Sequence, residues 1–572
     1  AKYMDPQHRL LLEVAWEALE DAGLPFEEVA GDRVGVFMAI MWNDYLRLQS
    51  RDASQLNGYS ITGNGFAFAP NRISYTFDLR GPSLAIDGAC AGSLASVHAA
   101  CQSLWMGEAS LALAGGVNLI LSPDVNIMLS KAGVLSSEGR CMTLDARADG
   151  FVRGEGAGIV VLKPFSQLAP SDRVYALIRG GAINHNGRNE WIMAASADGQ
   201  EAALRDAYLM AGVDPAAVDY VELHGTGLPK GDPIEASVLG KVIGTRSERD
   251  HPCAIGSVKS NIGHLDSAAG IASLIKVALS LHHKEIPPTL HLQEVNPDIP
   301  LEALGLTAQQ TAGPWPDRAL PPLAGVTAVS MSGVNAHMVL EGPPPDPTTH
   351  VRTEKIGSGK PHLLLLSARS PEALRSLARA FMDYVNDENL GSDLSLRDIC
   401  FTASVRRSHH AHRLALIIHS RPMLVNSLQA FLQGELSGGV FSSQAISGDQ
   451  DMGPDLAEMI DRILRFRDSA GTVTSSSAGE DEEQSIMLEA LGTLYARGHA
   501  LDWRTLYADG GRCVQLPTTP WQRERLWLDW LDTPEALPKT DAETQPADEP
   551  PPEQHEFLRR LKETPANDQW DI

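Results

Sequence analysis

Residues 83–104 have the sequence SLAIDGACAGSLASVHAACQSL, which predicts a short strand, a tight turn around Cys90 and an amphipathic helix. The small neighbours of Cys90 let the backbone turn sharply. A thiol at the start of a helix has its thiolate favoured by the helix dipole. A single cysteine is more often a small core residue, as we expect for Cys101, so this segment alone makes Cys90 only a candidate nucleophile.

Two histidines follow predicted strands in glycine-rich loops. The first, His224, lies in DYVELHGTGLPKGDPIEA (residues 219–236), between a strand and a restarting helix. The second, His264, lies with Lys259 in IGSVKSNIGHLDSAAGIASLIKVAL (residues 255–279), before a helix of small residues. A single histidine in such a loop more often forms hydrogen bonds with nearby backbone groups than takes part in catalysis. Three loops that each carry an ionisable group at a strand end suit a Cys/His/His catalytic arrangement.

Up to residue 341 the sequence alternates short apolar or β-branched runs with helical stretches and glycine-rich turns, which predicts a layered α/β fold. An opening helix ends at Gly23. Further strands are predicted at residues 34–38, 84–87, 111–118, 158–162, 174–180 and 220–223, and helices at 93–106, 200–210 and 267–282.

The composition excludes several classes of protein. Acidic residues outnumber basic ones, 72 to 47, and the net charge of −25 argues against nucleic acid as a partner. No run approaches the roughly 18 apolar residues of a membrane span, and no secretory signal pattern is visible, so we expect a cytoplasmic protein with no membrane partner. The 6 cysteines lack a CxxC pair, which favours reduced thiols. The glycines of GEGAGI precede a strand instead of following one, which argues against a nucleotide site.

Beyond residue 341 the composition changes repeatedly. The predicted segments are a Pro- and Gly-rich joint (342–360), a small α/β subdomain (361–440), a stretch with a flexible acidic loop (441–485), an ordered piece rich in Trp and Leu (486–532) and a flexible linker (533–572). Within the small subdomain, strands are predicted at 363–366 and 414–418 and a helix at 371–385.

Four motifs occur in the order and spacing of β-ketoacyl synthases: DGACAGS, HGTG, KSNIGHL and SGVNAH, the last at residues 332–337. The stretches MDPQHRLLLEVAWEALEDAG and ARADGFVRGEGAGIVVLKP resemble the ketosynthases of modular polyketide synthases in particular. The resemblance covers residues 1–341 and implies a thiolase-type fold, with two similar βαβαβαββ halves layered α-β-α-β-α, and a homodimer. We expect this ketosynthase to be truncated at its N-terminus, because the chain opens on a helix with no initiator Met and no preceding strand.

The flanking segments resemble linkers of the same synthases. Residues 361–440 are similar to the linker between ketosynthase and acyltransferase, and residues 486–532 to the linker that follows the acyltransferase. Between them, residues 441–485 are too short for an acyltransferase and are either its remnant or a flexible loop, and no GxSxG serine occurs in the chain. The resemblance therefore implies that a separate acyltransferase supplies the extender unit. The tail after Phe557 resembles the approach to a carrier protein.

The resemblance also implies a mechanism, decarboxylative condensation. Cys90 accepts an acyl chain from the phosphopantetheine arm of an upstream acyl carrier protein. His224 and His264 then stabilise the enolate that forms as a malonyl-type extender on the downstream carrier protein loses carbon dioxide. Backbone N–H groups of Cys90 and Val329 are expected to form the oxyanion hole.

Supporting roles are implied for four further residues. Lys259 would hold charge and position behind His264, and Asn335 would make structural hydrogen bonds. Thr226 and Leu228 would line the path of the pantetheine arm or substrate. We expect the chain itself to bind no cofactor and no metal. Three histidines of the first linker lack nearby Cys or paired carboxylates as co-ligands: His409, His410 and His412.

Two alternatives differ in the reaction. A thiolase of the same fold would employ a second catalytic cysteine, and the histidine pair argues against it. A non-elongating ketosynthase passes acyl chains on without extending them; loss of the second histidine would indicate one, but His264 is present. Departures from the usual family pattern predict a wider pocket that tolerates bulky or branched acyl groups. They lie at Gly88, Ala91, Gly92, Leu228, Val329 and Ser330.

Overall fold

The computed structural model describes residues 1–244, 251–318, 321–344, 360–387, 394–435, 439–443, 477–508 and 510–528. Tyr3–Glu524 form one compact unit, and a second comprises Arg525–Ile572. Most of the predicted joint, most of the stretch with the acidic loop and all of the predicted terminal linker lie outside the described residues, so these remain predictions. The end of the stretch with the acidic loop was predicted wrongly, because a helix begins at Ser477. Within the described ranges, no helix is both long and apolar enough to cross a membrane.

The first half of the chain is a mixed sheet covered by helices. Its elements are α1 (Pro6–Asp21), α2 (Phe26–Val29), β1 (Val34–Ala39), α3 (Asp44–Gln49), α4 (Gly58–Asn64), α5 (Phe68–Phe77), β2 (Ser83–Ile86), α6 (Gly92–Trp105), β3 (Leu111–Asn118), α7 (Asp124–Lys131) and β4 (Gly156–Leu162). The strand order is β2-β1-β3-β4, in which only β4 is antiparallel to its neighbour. Helix α1 begins where the Asp5 side chain accepts the N–H of Gln7. Its buried face includes Leu11, Ala15 and Leu19.

The second half forms a larger mixed sheet. Its elements are β5 (Leu177–His185), α8 (Ala197–Ala211), β6 (Tyr220–Glu222), α9 (Gly231–Leu239), β7 (Cys253–Gly256), α10 (Lys259–Ile262), α11 (Ala269–His283), β8 (Glu285–Ile286), β9 (Leu306–Ala308), β10 (Gly313–Pro314), β11 (Leu323–Val329) and β12 (Val334–Glu341). The strand order is β5-β12-β11-β6-β7-β9, and β8 and β10 form a separate pair.

The two halves repeat one topology. The run β7-β6-β11-β12 has the order and strand directions of β2-β1-β3-β4. The second half has the predicted βαβαβαββ order, whereas within the described residues the first half has no counterpart of β5. Helices α6 and α11 pack against each other between the sheets, and α1 and α8 cover the outer faces. The layers are therefore the predicted α-β-α-β-α.

A separate small core follows the second sheet. Its elements are β13 (His362–Ala368), α12 (Pro371–Asn386), α13 (Leu396–Val405), β14 (His412–Ile418), α14 (Arg421–Gln433), β15 (Val440–Ser442) and α15 (Ser477–Ala496). The strands form an antiparallel sheet in the order β13-β14-β15, and α12, α13 and α14 bury their apolar faces in one cluster with it. This agrees with the α/β character predicted from the sequence.

Polar and ionic contacts join the small core and the tail to the first half. Arg406 at the end of α13 forms an ion pair with Asp172 at 2.6 Å, and both side chains are nearly buried. Farther along, the Trp16 indole donates to the Thr519 hydroxyl at 3.1 Å, and the Thr519 N–H donates to Glu20 at 2.7 Å. Helix α1 is therefore covered by the sheet on one side and by the chain near residue 519 on another.

Most predicted boundaries lie within three residues of the observed ones, and one strand is displaced further. The strand predicted at 111–118 coincides with β3. The strand predicted at 174–180 instead begins at Leu177 and extends to His185, because it pairs with β12 as far as Val334. The ends of an edge strand depend on its partner strand, and the local sequence does not show where that pairing begins and ends.

Candidate active site

The turn around Cys90 is a strained elbow between β2 and α6. Ala89, in the left-handed region at φ 48°, opens a single helical turn that leads into α6. The Ala89 N–H donates to the Asp87 carboxylate at 3.0 Å, which stabilises this conformation. Left-handed backbone at a non-glycine residue is costly and is often found at functional sites. The predicted strand, tight turn and helix are all present, whereas Cys101 packs into the core between the sheets.

The resting thiol of Cys90 is protonated. Burial raises its pKa to about 12, and the Asp266 carboxylate adds to the rise. The backbone N–H of Met331 and the Lys259 ammonium act in the opposite direction. Desolvation therefore outweighs the favourable effect that the sequence analysis expected from the start of the helix. A neighbouring base has to accept the thiol proton as the sulfur reacts.

Carboxylates of α9 hold the loop that carries His224. Glu235 accepts the N–H of His224 at 2.7 Å and that of Gly225 at 2.9 Å. Asp232 accepts the N–H of Gly227 at 3.2 Å. Both carboxyl groups are buried, and burial raises the pKa of Glu235 to about 7 and that of Asp232 to about 6. The backbone of the His224 loop is therefore held in place by side chains of α9 and not by the residues of the loop itself.

His264 is fixed through its backbone and its ring. Its N–H donates to Val152 and its carbonyl accepts from Gly154, both at 2.8 Å. The ring Nδ1 accepts the N–H of Asp266 at 3.2 Å, which places the ring proton on Nε2. Asp266 in turn forms a buried ion pair with Arg153 at 2.6 Å. His264 therefore has a defined tautomer whose Nε2–H is a donor.

The two histidine rings meet at the centre of the site. Their centroids lie 5.4 Å apart with nearly perpendicular planes, at 85°. Burial lowers the pKa of both His224 and His264 well below 6.5, and the Lys259 ammonium lowers both further. Both imidazoles are neutral, so each can donate one hydrogen bond without carrying charge. The structure thus brings Cys90, His224, His264 and Lys259 into one electrostatic cluster.

Lys259 is one of the largest fully buried side chains, as the first residue of α10. Burial lowers the pKa of its ammonium, while Glu222 and Glu235 raise it. An ordinary surface lysine would be solvated, whereas Lys259 is buried; its supporting role stays a prediction.

Asn335 and His337, the ends of the NAH sequence in the SGVNAH motif, lie on strand β12. The Asn335 amide donates to Asn184 at 2.9 Å and to Asn186 at 2.7 Å. Both nitrogens of His337 are within hydrogen-bonding distance, 3.0 Å, of hydroxyl groups, one of them that of Tyr208. Burial lowers the pKa of His337 to about 3. Both side chains are engaged in internal hydrogen bonds of the sheet.

The remaining predicted site residues lie on the two neighbouring loops. Val329 ends β11, beyond Val326, where the pairing with β6 stops. Thr226 is buried next to Gly227, whose N–H donates to Asp232, while Leu228 is only partly buried. In the first linker, the ring of His409 bonds to Tyr495 and to a carbonyl group. Within the described part of the chain, no group of His, Cys, Asp and Glu residues is arranged to hold a metal ion.

Sequence reasoning missed the carboxylates that fix the loops. Asp232 and Glu235 stand in the first turns of the helix after HGTG, and acidic residues there often bind backbone N–H groups. That signal was available in the sequence. Asp266 and Arg153 are 113 positions apart, and local spacing cannot reveal their pairing.

Two family models match the part of the chain that forms the two mixed sheets. The model described as "Beta-ketoacyl synthase, N-terminal domain" matches residues 1–167, and "Beta-ketoacyl synthase, C-terminal domain" matches residues 175–293. A third, "CurL-like, PKS C-terminal", matches residues 362–428 in the small core.

Curated relatives are multidomain synthases. One subunit of the phenolphthiocerol/phthiocerol polyketide synthase of Mycobacterium tuberculosis is 42% identical over 443 residues, which are 77% of this chain and 23% of the relative. The 5-methyl-1-naphthoate synthase of Streptomyces sahachiroi is 39% identical over 79% of this chain and 25% of its own length. The chain thus spans about a quarter of the length of the relatives it matches.

Solved structures share the whole architecture. The ketosynthase from module 6 of the bacillaene synthase of Bacillus subtilis 168 is 34% identical, with a TM-score of 0.79 over 92% of this chain and 86% of that one. An oxazolomycin ketosynthase domain from Streptomyces albus JA3453 is 32% identical, with a TM-score of 0.78 over 93% of this chain and 85% of that one. The predicted thiolase-type fold is confirmed by these neighbours.

Proposed function

Since the chain belongs to the β-ketoacyl synthase family, as a ketosynthase of a modular polyketide synthase, we propose that it extends a Cys90-bound acyl chain with a malonyl-type unit. Enzymes of this family transfer acyl groups in condensation reactions. The observation that carries the proposal is the cluster of Cys90, His224, His264 and Lys259, which three separate segments bring together. The acyl chain and the extender arrive as thioesters on the phosphopantetheine arms of acyl carrier proteins.

Loading begins with the protonated thiol. Cys90 sulfur attacks the incoming thioester carbonyl while a neutral histidine of the pair accepts the thiol proton. The oxyanion is held by backbone N–H groups, for which Cys90 and Val329 are the proposed donors. The carbonyl then re-forms, the carrier thiolate leaves and takes up that proton, and Cys90 keeps the acyl group.

Decarboxylation uses the histidine pair as donors. The bond between the extender's α-carbon and its carboxylate breaks, carbon dioxide leaves, and the electron pair forms an enolate on the thioester. The Nε2–H of His264 has the tautomer needed to donate to the enolate oxygen, and His224 supplies the second hydrogen bond. The enolate carbon then attacks the Cys90 thioester. The carbon–carbon bond forms, the carbon–sulfur bond breaks, and the released Cys90 thiolate takes up one proton from water.

The extender unit comes from a separate acyltransferase. No GxSxG serine is present in the 572 residues, so no nucleophile of that kind can carry a malonyl group. A mixture of this protein, a holo carrier protein and malonyl-CoA should show no malonyl transfer above self-loading of the carrier, and substantial transfer would contradict the proposal.

The assembly we propose is a homodimer that pairs through β2. Among the described residues, this strand lies at an edge of its sheet, and Leu84 on it is 51% exposed. Nearby Tyr75 of α5 is 89% exposed. Exposed edge strands with apolar side chains are usually covered, and a twofold axis would pair two copies of β2. A monomer in sedimentation equilibrium at micromolar concentration would contradict this arrangement.

Intact-protein mass spectrometry tests the reaction. We expect an acyl thioester to add one acyl group to the wild-type chain and none to Cys90→Ala. His264→Ala should still be acylated, and it should release little carbon dioxide from a malonyl carrier protein, because only that step needs the enolate donors. Acylation of Cys90→Ala at the wild-type rate would overturn the assignment of the nucleophile.

A further inference from the structure

A buried ion pair lies beside the residues of the candidate active site. Lys276 of α11 donates to Glu222, the last residue of β6, with Nζ 2.6 Å from Oε2. The Tyr220 hydroxyl donates to the same oxygen at 2.6 Å, and Lys276 also donates to that hydroxyl at 2.9 Å. Glu222 and Tyr220 are fully buried. One carboxylate oxygen is therefore held by two donors from different elements.

The other oxygen of Glu222 connects a further segment. The N–H of Val258 donates to Oε1 at 2.6 Å, and Val258 directly precedes Lys259. Glu222 itself stands two positions before His224, and α11, which supplies the lysine, follows His264. A single carboxylate thus links the three segments that carry both histidines and the buried lysine of the site.

Stability does not account for this arrangement. Two charges taken out of water lose hydration, and a buried ion pair seldom stabilises a fold more than apolar side chains of the same size would. Tyr220 adds a third polar group, and burial together with Glu222 raises the pKa of its hydroxyl well above 10. A costly cluster next to reacting groups points to a role in the reaction.

The charge of Glu222 acts directly on Lys259. Burial lowers the pKa of the Lys259 ammonium, and Glu222 is the strongest of the charges that raise it again. The other ionisable groups around this ammonium are Glu235 and Asp232 of α9, His224, His264, Cys141 and Cys90. Loss of the negative charge at Glu222 would lower the Lys259 pKa further, so the ammonium would lose its proton at a lower pH.

We propose that Glu222, clamped by Lys276 and Tyr220, is a positioning residue for decarboxylation that fixes the backbone directly before Lys259. The inference rests on the proposed condensing function. Decarboxylation should depend on Glu222 more than loading does, because the enolate charge develops at the histidine pair beside Lys259. The loading oxyanion is instead held by backbone N–H groups, which the carboxylate does not touch.

The test compares two rates in the same variants. Carbon dioxide release from malonyl carrier protein is followed from about pH 6 to about pH 10, and acyl loading of Cys90 by intact mass. Glu222→Gln should slow decarboxylation about tenfold or more and move its alkaline limb to lower pH, while loading stays within about threefold. Lys276→Met should show a partial loss, and Lys276→Arg should restore decarboxylation to within about threefold of wild type.

Two further variants complete the design. Lys241→Met removes a lysine from an exposed ion pair with Glu201 in the same half, and both rates should remain those of wild type. If Glu222→Gln does not fold in thermal denaturation, Tyr220→Phe retains the ion pair and removes both hydrogen bonds of the Tyr220 hydroxyl, the one to Glu222 and the one from Lys276. It should slow decarboxylation about threefold without affecting loading.

Two results would overturn the inference. One is a folded Glu222→Gln, or in its place Tyr220→Phe, with the decarboxylation rate and pH profile of wild type. The other is an equal loss in loading and decarboxylation, which is the mark of a merely structural role. Failure of the proposed function is a different result, because wild type itself would then neither acylate Cys90 nor release carbon dioxide.

Discussion

Replacing Glu235 by glutamine tests the carboxylate that holds the His224 loop. Burial raises the pKa of Glu235 from 4.5 to about 7, even though the carboxylate accepts two backbone N–H groups. Between these values the folded protein binds the proton and the unfolded chain does not. Glutamine resembles the protonated carboxyl at every pH, so the variant isolates this one titration.

The sign and size of the effect follow from the two pKa values. Because the folded-state pKa is the higher one, the stabilisation from Glu235 is complete below about pH 4.5 and is lost as the pH rises to about 7. The difference between the values, 7 minus 4.5, corresponds to about 3 kcal/mol. The free energy of unfolding of Glu235→Gln, relative to wild type, should therefore rise by about 3 kcal/mol across this range and then level off.

Thermal denaturation of both proteins at intervals between about pH 4.5 and about pH 8 measures the difference. Glu201→Gln is the matched control: this glutamate of the same half lies at the surface, where Arg205 and Lys241 lower its pKa. The free energy of unfolding of Glu201→Gln, relative to wild type, should not rise between about pH 4.5 and about pH 7. Melting curves of wild type and Glu235→Gln that stay parallel across the whole range would refute the electrostatic account of the loop.

Three further substitutions have defined outcomes. Arg406→Met should lower the free energy of unfolding by about 2 kcal/mol, because it takes a charged partner from the nearly buried Asp172; a loss no larger than that of an exposed arginine, measured in the same thermal assay, would contradict this. Leu228→Thr should return a hydroxyl to the proposed pantetheine path and lower KM for a carrier-bound substrate about threefold to tenfold at constant kcat, and an unchanged KM would remove that residue from the path. Gly88→Ala should slow the loading of a branched acyl thioester more than the loading of a small linear one, since the added Cβ lies 3.2 Å from the Gly92 Cα in the elbow. Equal slowing of both in intact-mass measurements would count against a widened pocket.

The sequence was most informative where one segment forms one element. The strand, turn and helix around Cys90 depend on local residues and were predicted almost to the residue. The strand predicted at 174–180 was displaced because its end depends on a partner more than 140 positions away, as the pairing of His185 with Val334 shows. Strand ends of this kind are tertiary properties.

For the candidate site too, local features could be predicted from the sequence and long-range contacts could not. Glycine-rich motifs pointed to Cys90, His224 and His264, because glycines at strand ends let a ligand approach the backbone closely. Local sequence did not indicate how the thiol would titrate, since desolvation depends on everything packed around it. The ion pair of Glu222 with Lys276, 54 positions apart, was equally out of reach.

The contacts of α1 have a consequence for how such chains can be recombined. Trp16 and Glu20 bond to Thr519, and Arg406 bonds to Asp172, so partners some 500 and 230 positions apart share one interface. Recombination between two related genes near residue 341 would combine the surface of α1 from one parent protein with the segment that covers it from the other. Recombination sites at which the chimeric protein still folds should therefore fall outside Tyr3–Glu524. The two sides of this interface should come from the same parent sequence.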